Sequence, residues 1–251
     1  MRLLVKNLSM AKTKKKLRMV KKDEVAEKEM KVGTATAQGK SVNEWWAFPK
    51  AIPKKTCNKI IRLGKEAWED AKVDVSAETS EEDRIFGRKQ EFGVKKKTRI
   101  SEVVWLNEQW LYDLVWPLML KANQNSGWRY DITAAEPQQL TRYRAGVNGH
   151  YSWHQDGQGD HMSKYDCPEN PLLHGRVRKL TAAVSLNDTF KGGVFEFSTY
   201  GKGECRVVPP VDGVDQGNVL VFPGTLEHRV PPVTKGVRYS LITWFVGPPF
   251  R

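Results

Sequence analysis

The sequence predicts an α+β fold that is mainly β, with helices packed on a double-sheet β-sandwich of jelly-roll type. Helical periodicity is confined to the stretch before Gly127. From Trp128 onward apolar residues alternate in short runs broken by turn residues. A hydrophobic content of 39% over 251 residues supplies a core for one large domain or two small ones and excludes wholesale disorder.

Each element has a local reason. Thr56 is a candidate N-cap for a helix running to about Ala71, because Ile60, Leu63, Ala67, Trp68 and Ala71 share a face at helical spacing. A second helix is expected after Asn107, with the stripe Leu111, Leu114, Val115, Leu118 and Ala122. Pro117 lacks the amide that would bond the Asp113 carbonyl, which predicts a kink, and Gly127 suits the helix end. Candidate strands are 129–132, 139–144, 151–156, 179–186, 194–197, 218–222 and 237–246. Gly146, Asn148-Gly149, Gly192-Gly193, Asp212-Gly213 and Pro223-Gly224 mark the turns between them.

Charge divides the chain. The net charge is +12, of which residues 1–40 carry +8, from 12 Lys/Arg against 4 Asp/Glu. This stretch is read as a basic flexible N-terminal arm, and 41–251 as a single domain with its core at about 128–248. The lysines suit either a tether to nucleic acid or a solubilising tail; the absence of interleaved aromatics favours the tail. The charged stretch 76–97 and the segment 157–175 are each compatible with a surface loop or a substrate-covering lid. No apolar run nears the ~18 residues of a membrane helix, and the start lacks a signal-peptide core of ~7–15 apolar residues. A cytoplasmic protein without a membrane partner is expected. Cys57, Cys167 and Cys205 are odd in number and form no CxxC, which excludes a disulfide framework and a cysteine zinc finger.

The chemistry centres on His154, one of five histidines. On a strand, His154 and Asp156 would project from one face and aim an imidazole and a carboxylate at one point. His228 follows 72 residues later, just past the strand 218–222 and its turn. A face of two histidines and one carboxylate suits non-haem Fe(II), leaving open positions for a chelating co-substrate and O2. Arg238, Ser240, Ile242 and Trp244 share a face of an otherwise apolar strand. A buried arginine needs an anionic partner, either the far carboxylate of a dicarboxylate co-substrate or a protein acid. His150 follows Gly149 at a turn and is not read as a ligand. His161, His174 and Cys167 lack ligand spacing and are read as surface residues.

These residues carry a resemblance. The strings Leu140-Thr141-Arg142-Tyr143, His154-Gln155-Asp156, Lys179-Leu180-Thr181 through Leu186-Asn187, Gly192-Gly193, Phe195-Glu196-Phe197 and Val221-Phe222-Pro223-Gly224, followed by His228, Arg238 and Trp244, resemble the 2-oxoglutarate/Fe(II) dioxygenases. Within these the chain is similar to the prolyl 4-hydroxylase group and the bacterial PKHD-type hydroxylases. The resemblance runs from about Gln139 to Gly247, and more loosely back to Lys54.

It implies a double-stranded β-helix of cupin-like type, with supporting N-terminal helices. It implies that His154, Asp156 and His228 hold Fe(II), and that Arg238 binds the far carboxylate of 2-oxoglutarate. Tyr143 would reach the co-substrate, and Ser240 would help at the arginine end. Ser185 stands where some relatives carry a tyrosine facing the co-substrate. Tyr151 matches a tyrosine near the metal, but strict alternation puts it on the opposite face unless a bulge turns it inward. Trp244 resembles an aromatic residue beside the site. The implied reaction couples decarboxylation of 2-oxoglutarate to succinate and CO2 with hydroxylation by O2, ascorbate serving as reductant. Asp156 favours hydroxylation, since halogenating relatives lack this carboxylate. The implied substrate is a prolyl residue in a peptide or protein. Alternatives are a nucleic-acid-directed oxygenase, a zinc hydrolase, and a jelly-roll binding module without chemistry.

Overall fold

The computed structural model describes residues 34–35, 42–65, 67–74, 92–93, 96–159, 164–201, 204–208 and 215–250. The arm 1–40 (apart from 34–35), most of 76–97 and His161 lie outside these residues, and so do the readings made of them.

In chain order the elements are β1 (Trp46–Phe48), α1 (Lys54–Leu63), β2 (Glu69–Asp70), β3 (Arg99–Ile100), β4 (Glu102–Leu106) and α2 (Gln109–Asn125). Then come β5 (Ala134–Ala135), β6 (Gln138–Arg144), β7 (His150–His154), β8 (Val177–Ser185) and β9 (Glu196–Gly201). The last are β10 (Glu204–Val208), β11 (Val219–Pro223), β12 (His228–Val230) and β13 (Val237–Gly247). The major sheet has the order β1-β11-β8-β13-β6-β4-β2, with β5 beside the end of β13. The minor sheet has the order β10-β9-β12-β7-β3. Every pairing in both sheets is antiparallel. Short ribbons lie outside them, including Lys191–Gly192 with Val233–Lys235.

Alternation along the central strands of the major sheet divides the core in two. Leu140, Leu180, Ala182, Val184, Val221, Leu241 and Phe245 face the helices, where Ile60 of α1 and Leu111, Val115, Met119 and Ala122 of α2 cover them. The opposite face, with Tyr143, Ala183, Leu220 and Phe222, packs toward the minor sheet against Phe195, Phe197 and Val230. The helices seal one side of the major sheet and leave the other to the barrel interior.

The structure corrects several expected elements. Helix α1 is opened by Pro53, not Thr56: its carbonyl accepts from Thr56 N–H at 2.8 Å and Cys57 N–H at 3.0 Å. Proline suits a helix start because its fixed φ is already helix-compatible and it has no amide to leave unpaired. The helix ends at Leu63, short of Ala71, because the Gly64 N–H turns back to Ile61 O and the chain goes on to the edge strand β2. Helix α2 runs through Pro117, and its buried stripe includes Met119, which the periodicity reading missed. Residues 129–132 form no strand. The strands β1, β2, β3, β4, β5, β10 and β12 were not expected, and β7 stops at His154 instead of reaching 156.

Leu140 is fully buried beneath the helices, whereas Leu172 is 68% exposed. Leu140→Ala is expected to lower unfolding stability by about 2–5 kcal/mol in urea titration, and Leu172→Ala by less than about 0.5 kcal/mol.

Candidate metal centre and co-substrate pocket

The last residue of β7 and the first of β12 stand opposite each other in register: His154 pairs with His228, their ring centroids 4.1 Å apart. Asp156 completes the group from beyond the strand. Its backbone N–H and that of Gly157 both donate to Gly224 O, at 2.9 and 3.1 Å, which turns the chain back after His154. The carboxylate is therefore placed by a loop, not by strand alternation. Gly157 permits this turn, since a Cβ there would lie 2.8 Å from Arg178 Cβ. Asp156 Oδ1 is 3.7 Å from His154 Nε2, and Oδ2 is 3.6 Å from His228 Nε2. Among the described residues this is the one group of His, Cys, Asp or Glu placed to hold a metal ion, with ligand atoms within 4.8 Å of one another.

The imidazole tautomers follow from the backbone. His154 Nδ1 lies 2.8 Å from Ser152 O, and His228 Nδ1 lies 2.9 Å from Leu226 O. A carbonyl oxygen only accepts, so each Nδ1 carries the proton and each Nε2 turns a lone pair to the common point. Burial, then the neighbouring His228, pushes His154 down to about 3, so it is neutral at neutral pH. Burial alone would raise Asp156. His228, His154, Arg178 and the Thr181 hydroxyl outweigh it and hold the carboxyl below its ordinary range. Thr181 Oγ1 donates to Asp156 Oδ2 at 2.7 Å. Two imidazoles whose Nδ1 atoms are engaged by backbone carbonyls and one ionised carboxylate fit a divalent cation of the Fe(II) kind.

Arg238, 4% exposed, projects from the face of the major sheet that carries Thr181. Its Nη1 donates to Ser240 Oγ at 3.2 Å, and its guanidinium carbon is 5.4 Å from the centre of the Tyr143 ring. No carboxylate pairs with it among the described residues, so the protein-acid reading finds no support. Burial pulls its pKa down while Tyr143 pushes it up. Tyr143 is its partner across β6 and β13, and Ser185 stands opposite Ser240 across β8 and β13. Gly193, at φ +61°, lets the chain cross this end, since a Cβ would come within 2.6 Å of Val233 and 3.3 Å of the Arg238 stem.

The remaining candidates are also placed. A register shift between Tyr151 and His154 breaks the alternation and turns Tyr151 onto the metal side, its ring stacked on His154 at 3.5 Å. Trp244 is buried opposite Thr181, under the guanidinium of Arg178 at 4.0 Å. His150 is occupied with Asn148 O and Lys97 O, away from the triad. His174 and Cys167 are loop residues.

Three participants were missed. Thr181 was noted only within a string. Arg178 forms a bidentate pair with Glu136, both contacts at 2.6 Å, and donates to Asp156 O at 3.2 Å, fixing the ligand loop from behind. A charged residue heading the apolar run of β8 was the available signal. Arg99, buried beside Tyr151, followed a lysine run and had none.

Residues 138–246 match the family model described as the 2OG-Fe(II) oxygenase superfamily. Among curated proteins, a PKHD-type hydroxylase of Parvibaculum lavamentivorans is 30% identical over 109 residues, covering 43% of this chain and 42% of the relative. One from Xylella fastidiosa (strain M12) is 30% identical over 111 residues, covering 43% of each. The chain thus spans less than half the length of the curated relatives it matches. Among solved structures, a Pseudomonas putida prolyl-4-hydroxylase superposes with a TM-score of 0.52 at 17% identity, over 80% of this chain and 91% of that one. A Trichoplax adhaerens prolyl hydroxylase, solved with a hypoxia inducible factor peptide, gives 0.53 at 15% identity, over 80% and 83%. These two establish the shared fold. Residues 138–246 are thus similar to the 2OG-Fe(II) oxygenase superfamily, and the curated relatives of that stretch are PKHD-type hydroxylases.

The histidine pKa has a consequence for stability. Folded His154 stays neutral down to about 3, while an ordinary histidine takes up a proton near 6.5. Between these values the unfolded chain binds the extra proton, so metal-free protein loses stability as the pH falls through that window. Asp156 acts in the range below its ordinary value of 3.8. Urea titrations of metal-free protein at neutral pH and at about pH 5 should show this loss, and His154→Leu should reduce it. Equal losses in both proteins would contradict the assignment.

Proposed function

We propose that the protein is an Fe(II)- and 2-oxoglutarate-dependent hydroxylase acting on prolyl residues of a peptide or protein. The observation that carries this reading is the buried Arg238 guanidinium without a protein carboxylate, in the same barrel interior as the triad. His154, Asp156 and His228 would hold the metal. Bound Fe(II) with O2 supplies the oxidising chemistry that couples loss of CO2 from 2-oxoglutarate to hydroxylation of a C–H bond.

The chain's residues do the rest. Arg238 and Ser240 would bind the far carboxylate of 2-oxoglutarate, with the Tyr143 hydroxyl and Ser185 alongside. A paired guanidinium and carboxylate in a dry pocket makes strong, directional hydrogen bonds. Phe195, Phe197 and Phe222 pack around His228 with ring centroids 5.2, 6.5 and 4.9 Å away, and they keep water from that side of the centre. Arg178 and Thr181 hold Asp156 in place.

The titles of the Pseudomonas putida and Trichoplax structures, the latter with a peptide, support a prolyl substrate. So does an aromatic wall. Trp244 stands opposite Thr181, and the half-exposed Trp105 packs beside it with ring centroids 6.0 Å apart. The exposed Trp105 end of this pair would suit the flat apolar face of a prolyl ring.

Succinate release from 2-oxoglutarate under Fe(II), ascorbate and air, with a proline-rich peptide pool, tests the reading. Turnover should be stimulated by peptide, which gains the mass of one oxygen atom, and should vanish in His154→Ala. Arg238→Met should raise the KM for 2-oxoglutarate roughly ten- to a hundred-fold, the loss of a charge-assisted hydrogen-bonded pair. An unchanged KM would refute the arginine's role, and turnover without any prolyl product would refute the substrate.

A further inference from the structure

We propose that Arg99 is a positioning residue for the metal centre, acting on His154 through the ring of Tyr151. This rests on reading the triad as a metal site. Arg99 is 6% exposed and pairs with no carboxylate among the described residues. Asp70 and Lys96 line a cavity of about 30 Å³ that it borders, with Asp70 beyond ion-pair distance. A buried guanidinium is costly, and an aliphatic side chain would fill the space without that cost. Its contacts show what it does instead.

Arg99 lies directly across from Tyr151 in the β3–β7 register. Its chain leaves the minor sheet at Ser101 and enters the major sheet as β4. Nε donates to Ser101 Oγ at 2.7 Å, and Nη2 donates to Gln139 Oε1 of β6 at 2.7 Å. Thr141 Oγ1 donates to the same Gln139 oxygen at 3.2 Å. The guanidinium therefore braces the two sheets against each other. Its carbon lies 4.6 Å from the centre of the Tyr151 ring. The other face of that ring would then be the one stacked on His154, at 3.5 Å and within 16° of parallel. Arg99, Tyr151 and His154 would then make a three-layer stack. The Ser152 carbonyl sets the imidazole tautomer, and the stack sets the plane in which its Nε2 lone pair points. The bulge before His154 is what admits Tyr151 to this stack.

Co(II), titrated into metal-free protein and followed by visible absorption, reads the geometry without turnover. Arg99→Met should weaken Co(II) affinity about tenfold and change the ligand-field band, as loss of outer support does at metal sites. Tyr151→Leu should do the same, and the double variant should lose no more than either single one, because the two residues act in series. Tyr151→Phe keeps the ring and should bind as wild type. Should Arg99→Met fail to fold, Arg99→Lys keeps the charge but not the planar fork, and the same loss is expected. Wild-type affinity in a folded Arg99 variant overturns the proposal, and so does an Arg99 effect that persists in full on the Tyr151→Leu background. Failure of the wild type to bind Co(II) would instead overturn the metal site itself.

Discussion

The structure depends on one pairing: β7 against β12, with His154 facing His228 at the point where one strand ends and the other begins. Two imidazoles brought this close in a buried site disfavour charge on both, and His154 is held neutral at neutral pH. The carboxylate of Asp156 stands within 4 Å of both Nε2 atoms, and its own loop is held by Gly224, Thr181 and Arg178. Because β7 stops at His154, the chain is free to turn and deliver Asp156. A strand continuing through 156 would use these amides in a ladder instead of on Gly224 O.

The rest of the fold divides labour around this point. The helices cover one face of the major sheet with aliphatic side chains, which leaves the other face free to carry polar groups into the barrel. Arg238, Ser240, Ser185, Tyr143 and Thr181 all project from that second face, and the phenylalanines beside His228 keep the opposite wall apolar. The buried guanidiniums divide in the same way. Arg178 is matched by Glu136 and serves structure. Arg238 has no carboxylate partner among the described residues and bonds Ser240, and Arg99 lies on an aromatic ring.

Much of this was legible in the sequence. The sequence singles out His154, Asp156, His228 and Arg238, and the structure brings the first three together; the strands of His154 and Arg238 lie within a few residues of the expected bounds. The reason given for Asp156 was wrong, since a loop delivers it, and such loop geometry leaves no periodic signature. Tyr151 needed a bulge, and the register shift supplies it. What stayed hidden depends on partners distant in sequence. Arg178 meets Glu136 from 42 positions away, and Arg99 meets Gln139 from 40. Arg178 heads the apolar run of β8, a signal its basic neighbours obscure, and Arg99, just after a lysine run, carries none. β12, only three residues long, was too short for alternation to show.

The central claim is a pocket with two fixed points, the metal and Arg238. Anaerobic calorimetry on Fe(II)-loaded protein tests it by comparing 2-oxoglutarate with 2-oxopentanoate, which keeps the keto acid and lacks the far carboxylate. The two-point pocket predicts that 2-oxoglutarate binds roughly ten- to a hundred-fold more tightly, and that Arg238→Met removes the difference. Equal affinities in the wild type, or a preference that survives in Arg238→Met, would contradict it.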